Sequence, residues 1–85
     1  MFYVYVLYSV NFDRNYVGMT DRLEERLIEH NQGKTKSTKA FVPWVRVHKE
    51  VFETRLEART REKYLKSATG RRWRKQNIRP RGATE

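Results

Sequence analysis

The chain of 85 residues is long enough for one small domain and carries 19 Lys and Arg against 10 Asp and Glu, a formal net charge of +9. It has no cysteine, which excludes a disulfide framework and a thiolate zinc site and fits a reducing compartment, so we expect a cytoplasmic protein. A charge of this size attracts polyanions, and nucleic acid is favoured over a membrane because no long segment combines a basic face with a broad apolar face.

The N-terminal segment predicts a β-hairpin. "FYVYVLYSV" is rich in aromatic and β-branched residues, which is typical of a strand, and it is too short to span a bilayer. "NFDRN" is a turn cluster, and "YVGM" then resumes the extended pattern. Residues 2–19 should therefore form two strands joined by a loop longer than the tight two-residue kind.

A helix is predicted next, beginning at Thr20 or Asp21. Asp21 and Glu24 have the spacing of a capping box, and Gly33 is a plausible stop. The apolar stripe of this helix would consist of Leu23, Leu27 and Ile28. A polar, basic loop, "GKTKSTKAFVP", follows it.

The second half of the chain predicts one strand and two helices. "WVRVHKEVF" alternates apolar and polar residues, as a half-buried strand does. Thr54 and Glu57 form another capping box, which should open a helix that continues to about Ala68 and is broken by Gly70. "RRWRKQNI" can form a short last helix, which would place the domain at residues 1–78 and a flexible tail at 79–85. The order ββαβαα predicts an α+β fold, with a three-stranded antiparallel sheet flanked by helices.

Charged residues in two of these helices allow both a structural and a functional interpretation. Arg22, Arg26 and His30 are four residues apart and share one helix face, which is either solvated or directed at the hairpin end that carries Tyr16. Glu62 lies beside an apolar stripe of the later helix. Its carboxylate either pairs with a neighbouring cation, Arg61 or Lys66, or binds a ligand at the edge of the core.

The hairpin tyrosines also have two interpretations. Tyr3, Tyr5, Tyr8 and Tyr16 are good strand residues, and aromatic pairs across a hairpin stabilise it. Their hydroxyl groups could equally serve a catalytic site. Gly18 permits another group to approach the backbone closely, or a bulge. No single feature decides between packing and chemistry.

The ordered combination of these motifs resembles the GIY-YIG nuclease superfamily. Tyr3-Val4-Tyr5 matches the first motif and Tyr16-Val17-Gly18 the second, and the run from Arg26 to Gly33 and "EARTREKYLK" follow in the order of the family. The resemblance covers roughly residues 2–78 and is strongest to the small, free-standing (YhbQ-like) members. The sequence departs from the first motif at Tyr3, where the family has Gly.

The resemblance implies a catalytic site and a metal. The implied catalytic residues are Tyr5, Tyr16, Arg26, His30 and Glu62. Glu62 would bind Mg²⁺ or Mn²⁺, and one carboxylate can be enough because Mg²⁺ keeps several of its waters. In the family Tyr16 corresponds to a proposed general base, while His30 is the competing base or a relay because its intrinsic pKa is better placed. Whether Asn77 belongs to the site stays open.

The function implied is a metal-dependent endonuclease that hydrolyses phosphodiester bonds in nucleic acid, DNA in preference to RNA. Nothing in the sequence resembles a recognition helix, so cleavage should be directed by structure rather than by sequence. The alternative is a nucleic-acid-binding module on the same scaffold without catalysis. Phosphate contacts are expected from basic residues of the loop and of the C-terminal segment, namely Lys34, Lys36, Lys39, Arg71, Arg72, Arg74 and Lys75.

Overall fold

The computed structural model describes residues 1–78, and the predicted tail at 79–85 lies outside the described residues. The strands are β1 (Phe2–Ser9), β2 (Arg14–Thr20) and β3 (Val45–Phe52). The helices are α1 (Leu23–Asn31), α2 (Arg55–Lys66) and α3 (Ala68–Asn77), and a short 3₁₀ helix spans Lys39–Phe41. The predicted order ββαβαα and the α+β class are confirmed.

The sheet is antiparallel with the strand order β2-β1-β3, so that β1 lies at its centre. Side chains alternate between the two faces of a strand, and helices cover both faces here. On one face, Val4 and Val6 pack in a core that includes Ala58 and Leu65 of α2. On the other face, Tyr5, Leu7 and Trp44 form a second core beside Leu23 and Leu27 of α1. This burial on both faces explains the nearly unbroken apolar pattern of β1.

The predicted start of α1 is wrong. The helix begins at Leu23 with Arg22 as its N-cap, and no side chain caps it. Thr20 instead turns the chain before the helix, since its Oγ1 accepts a hydrogen bond of 3.0 Å from the backbone N–H of Arg22. Ile28, predicted to belong to the buried stripe, is 55% exposed. The helix therefore buries a narrower face than its apolar residues suggest.

The capping box of Thr54 and Glu57 is confirmed at the start of α2. The predicted break at Gly70 is wrong. Helix α2 ends at Lys66, and Ser67 caps the start of α3, because its hydroxyl accepts a hydrogen bond of 3.1 Å from the Gly70 N–H. Gly70 is buried inside α3, and a β-carbon there would lie 2.6 Å from the Leu65 Cα. The glycine therefore permits close packing of α2 and α3.

Candidate active site

The site is built around Tyr5, whose position depends on Gly18. Tyr5 of β1 lies directly opposite Gly18 of the edge strand β2. A β-carbon at Gly18 would collide with the Tyr5 hydroxyl and would lie 3.0 Å from Cε2 of Tyr16. The missing side chain therefore lets the Tyr5 ring lie across β2, where its centroid is 6.3 Å from that of Tyr16. The glycine of the second motif is needed for this close approach.

The Tyr5 hydroxyl is hydrogen-bonded to a buried histidine. Tyr5 Oη lies 2.9 Å from Nε2 of His30, and Nδ1 of His30 lies 2.8 Å from Oγ1 of Thr38. The Thr38 hydroxyl donates to the backbone carbonyl of Thr35 at 3.4 Å, so it accepts the hydrogen bond from Nδ1–H. This network assigns the proton of the neutral ring to Nδ1 and makes Nε2 the acceptor of the Tyr5 O–H.

Burial keeps both members of this pair neutral near pH 7. His30 is fully buried, and this burial, together with the nearby charge of Arg26, lowers the pKa of His30 below its usual 6.5. Burial, followed by the proximity of Tyr16, raises the pKa of Tyr5 to about 12, although Arg26 opposes the rise. A neutral phenol therefore donates to a neutral imidazole at the centre of the site.

Arg26 places a permanent positive charge beside both tyrosines. Its guanidinium is partly buried and donates to Oε1 of Glu29 at 3.0 Å, and Arg22 binds Oε2 of the same carboxylate at 3.2 Å. Burial disfavours the charged form, but Glu29, Tyr5 and Tyr16 outweigh it and raise the pKa of Arg26. Sequence reasoning missed Glu29, although its position three residues after Arg26 is a signal for such a pair.

Glu62 approaches the same tyrosine from α2. Its charge contributes to the raised pKa of Tyr5, so the carboxylate lies within electrostatic reach of that hydroxyl. The side chain is 15% exposed, and its Oε2 accepts a hydrogen bond of 3.1 Å from Nζ of Lys66. The structure thus shows the ion pair that the sequence offered as one alternative. Of the five predicted catalytic side chains, Tyr5, Tyr16 and His30 pack against one another. Arg26 lies beside both tyrosines, whereas Glu62 reaches Tyr5 through its charge.

Glu62 lines an open pocket of about 430 Å³ whose charged walls are mostly basic. The other lining residues are Met19, Arg59, Lys63 and Lys66. The three cations follow one another at helical spacing along α2. Sequence reasoning named Lys66 as a possible partner of Glu62 but missed Arg59 and Lys63. A pocket with this lining attracts an anionic group such as a phosphate.

The side chains around Glu62 can bind a metal ion only if substrate phosphates and water supply the remaining ligands. Within residues 1–78, no three His, Cys, Asp or Glu side chains are grouped so that they could hold an ion. Glu62 supplies one carboxylate, and Lys66 contacts only its Oε2 oxygen. Mg²⁺ is commonly bound by one or two carboxylates together with substrate phosphates and waters, which matches an anionic substrate in this basic pocket.

The predicted phosphate contacts fall into two groups. Lys34, Lys36 and Lys39 are exposed in the loop before β3, and Arg72 and Lys75 are exposed on α3. The remaining two arginines bind backbone carbonyls at the end of α2. Arg71 donates to the Lys66 carbonyl at 3.3 Å, and Arg74 donates to the Leu65 carbonyl at 3.0 Å. These two guanidiniums satisfy the last turn of α2 and so connect α3 to it.

Asn77 is also used within its own helix. Its side-chain amide donates to the Trp73 carbonyl at 2.8 Å, and the residue is exposed. Within residues 1–78, Asn77 makes no side-chain hydrogen bond to any of the five catalytic candidates. The structure therefore gives Asn77 a local role at the end of α3.

The loop that holds His30 in place is itself fixed by two residues that sequence reasoning did not single out. The Asn31 side chain pairs with the backbone of Trp44, accepting from its N–H at 2.6 Å and donating to its carbonyl at 3.0 Å. The Trp44 indole N–H donates to the Thr38 carbonyl at 2.9 Å. These hydrogen bonds join the two ends of the loop between α1 and β3 and hold Thr38 against Trp44. Thr38 in turn orients the His30 ring through its hydroxyl.

Comparison with known proteins shows the family of this chain. The family model for the GIY-YIG catalytic domain matches residues 1–77, so the chain belongs to the GIY-YIG family, a superfamily of nucleases. The resemblance seen in the sequence is confirmed.

The curated relatives are small proteins of the same family. The chain is 40% identical over 70 residues to UPF0213 protein CPE1444 of Clostridium perfringens, covering 81% of this chain and 74% of the relative. It is 40% identical over 68 residues to UPF0213 protein HQ_3675A of Haloquadratum walsbyi, covering 79% and 75%. No solved structure matches the chain. No helix within residues 1–78 has the length and apolar character needed to cross a membrane.

Proposed function

We propose that this protein is a divalent-metal-dependent endonuclease that hydrolyses phosphodiester bonds, in DNA in preference to RNA. The observation that carries the proposal is the Tyr5–His30 hydrogen bond of 2.9 Å, with Tyr16, Arg26 and Glu62 arranged around it. A packing role alone needs neither a buried, neutral histidine beneath the phenol nor a cation beside two tyrosines. Phosphodiester hydrolysis uses such groups to position water and to neutralise charge on the phosphate.

Arg26 is suited to bind the non-bridging oxygens of the phosphate. Its guanidinium is oriented by Glu29, and a planar fork of donors matches two phosphate oxygens. Arg26 also lies within electrostatic reach of both tyrosines. In this proposal Tyr16 removes the proton from the attacking water.

Tyr5 and His30 have positioning roles in this scheme. His30 is fully buried and both of its ring nitrogens are engaged, so it acts on Tyr5 rather than on water directly. The Tyr5 hydroxyl donates to Nε2, which leaves its oxygen lone pairs available to a water molecule or to Arg26. Glu62 would hold Mg²⁺ or Mn²⁺, which supplies a Lewis acid at the phosphate when bound.

The distribution of charge supports recognition of the nucleic-acid backbone. The exposed lysines of the loop between α1 and β3 and the basic side chains around Glu62 can contact phosphates. Such contacts position a substrate without reading its bases. We therefore propose cleavage directed by the structure of the nucleic acid, by a protein of the cytoplasm.

The proposal is tested with a panel of labelled single strands, duplexes, flaps and nicked forms of DNA and RNA, each incubated with Mg²⁺, Mn²⁺ or EDTA. Cleavage should require the metal and should be lost in Glu62→Gln, which keeps the shape of the side chain but removes its charge. Tyr16→Phe keeps the ring and should also lose cleavage. If Tyr16→Phe cleaves at the wild-type rate, Tyr16 is a packing residue and the base is another group.

One observation favours the alternative, a nucleic-acid-binding module without catalysis. The Glu62 carboxylate is paired with Lys66 and shares its pocket with two further cations, an arrangement that can bind phosphate without a metal. A wild-type protein that binds the panel but cleaves none of it with either metal would establish this alternative. Glu62→Gln would then leave binding unchanged or make it tighter.

A further inference from the structure

A series of aromatic rings leads from Tyr16 of the site to the tip of the β1–β2 hairpin. The centroid of Tyr16 lies 6.4 Å from that of Trp44, and Trp44 lies 6.5 Å from Phe41 of the 3₁₀ helix. Phe41 in turn lies 5.3 Å from Phe12, which belongs to the hairpin loop. Each of these pairs meets edge to face. We call Phe12, Phe41, Trp44 and Tyr16 the aromatic series.

The outer end of the aromatic series is open to solvent. Trp44 is buried and Phe41 is partly buried, whereas Phe12 is 49% exposed. Position 12 lies in a four-residue turn, where polar residues are usual, so a large exposed ring there is not required by the turn itself. The guanidinium of Arg14 lies over the Phe41 ring, 4.4 Å from its centroid. The tip thus presents an aromatic surface next to a stacked planar cation.

The charges near this tip are suited to a polyanion. Lys39 belongs to the same 3₁₀ helix as Phe41, and Lys34 and Lys36 are exposed in the same loop. The acidic group at the tip, Asp13, accepts a hydrogen bond of 2.8 Å from the Tyr8 hydroxyl. Exposed aromatic rings combined with arginine and lysine are the usual means of binding unpaired nucleotides, since bases stack on the rings while cations contact the backbone.

We propose that Phe12, Phe41 and Arg14 form a stacking platform for an unpaired nucleobase. The inference rests on the proposed function, because it assigns the substrate class of the same site. The aromatic series places the platform three ring-to-ring contacts away from Tyr16, with centroid separations of 5.3, 6.5 and 6.4 Å. The unpaired nucleotide therefore lies a few nucleotides from the phosphate that is cleaved. The substrate is accordingly DNA with a single-stranded segment near the scissile bond, rather than uninterrupted duplex.

The platform is tested by binding in EDTA, so that cleavage plays no part. The probes are a blunt DNA duplex and the same duplex with a short single-stranded overhang that contains 2-aminopurine. The wild type should bind the overhang probe at least fivefold more tightly and should quench the 2-aminopurine fluorescence, because the base stacks on an aromatic ring. Phe12→Leu should abolish the preference and the quenching while leaving the affinity for the blunt duplex unchanged.

Two further variants test whether the binding preference and the quenching depend on an aromatic ring at position 12. Phe12→Trp should keep the quenching, whereas Leu56→Ala, which removes an exposed apolar side chain of α2, should alter neither signal. Equal affinity for both probes, or an equal loss for both probes in Phe12→Leu, would overturn the platform while leaving the nuclease proposal standing. A wild type that binds neither probe at low salt would instead contradict the proposed function itself. A wild type that shows the preference and the quenching in EDTA, yet cleaves nothing when Mg²⁺ is added, would support the platform and contradict the nuclease proposal.

Discussion

The Tyr5 hydroxyl donates to Nε2 of His30 across 2.9 Å, which joins the central strand of the sheet to the first helix through two buried side chains. The direction of this bond follows from Thr38, which accepts the proton of the other ring nitrogen. The fold itself therefore sets where the protons of the site lie.

Tyr5→Phe should destabilise the protein by about 1–3 kcal/mol, because it leaves a buried ring nitrogen of His30 without its donor. Urea unfolding of the two proteins measures the difference. Tyr16→Phe is the matched control, since the Tyr16 hydroxyl takes no part in the Tyr5–His30–Thr38 chain of hydrogen bonds. An equal loss of stability in both variants would show that the hydrogen bond to His30 contributes no more than the hydroxyl group of Tyr16 does.

Stability should fall as the pH drops below about 6.5, the usual pKa of histidine. Because burial lowers the pKa of His30 in the folded protein, the unfolded chain takes up the proton first, and proton uptake favours unfolding. The contribution of His30 to the free energy of unfolding is complete above pH 6.5 and is lost as the pH falls toward the lowered pKa of His30 in the folded protein. Urea unfolding at pH 7.5 and pH 5.5 should show the decrease, which His30→Gln should flatten and His48→Gln should retain. A decrease unaffected by His30→Gln would assign the effect to other groups.

Gly18→Ala should cost about 1–3 kcal/mol, because the added methyl group collides with the Tyr5 hydroxyl and forces the ring to move. The same substitution in a Tyr5→Leu background should cost clearly less, since the shorter side chain no longer crosses Gly18. Thermal unfolding of the four proteins in this cycle measures the coupling between the two positions. Additive costs would mean that the strand itself, not Tyr5, disfavours alanine.

Much of this arrangement could be predicted from the sequence, because hairpin, helices and motifs are local patterns. The contact between His30 and Thr38 could not, since it depends on the path of a polar loop that Asn31 and Trp44 fix through long-range hydrogen bonds. The Glu62–Lys66 pair was one of two alternatives, and spacing alone could not choose between an ion pair and a ligand. The break predicted at Gly70 was wrong because this glycine is needed where α3 packs closely against the end of α2, and a local sequence pattern does not show such packing.

Lys66→Met should strengthen Mn²⁺ binding several-fold, because it removes the cation that competes for Glu62. Electron paramagnetic resonance of free Mn²⁺ measures the affinity without any turnover. Lys63→Met is the matched control: it removes a charge from the same pocket, and its ammonium is not the one paired with Glu62. Equal gains in both variants would indicate a general charge effect, and binding that survives Glu62→Gln would place the metal elsewhere.

Replacing Lys34, Lys36 and Lys39 together by Ala should flatten the dependence of DNA affinity on salt. Each phosphate neutralised on a duplex contributes a slope of about 0.9 in log affinity against log salt. Fluorescence anisotropy over a range of salt concentrations measures this slope. Arg55→Ala, which removes an exposed arginine at the start of α2, is the control and should leave it unchanged. A slope that the triple variant does not alter would remove the loop from the interface.

The two faces of the sheet divide the proposed chemistry between two successive lengths of polypeptide. Tyr5, Tyr16, Arg26 and His30 all precede β3, whereas Glu62 arrives only with α2. During synthesis, a nascent chain that ends before α2 would carry the tyrosines and the arginine without the carboxylate. The central strand β1 also waits for β3 to cover its second edge. The proposed catalytic site is therefore complete only after α2 has been added to the sheet.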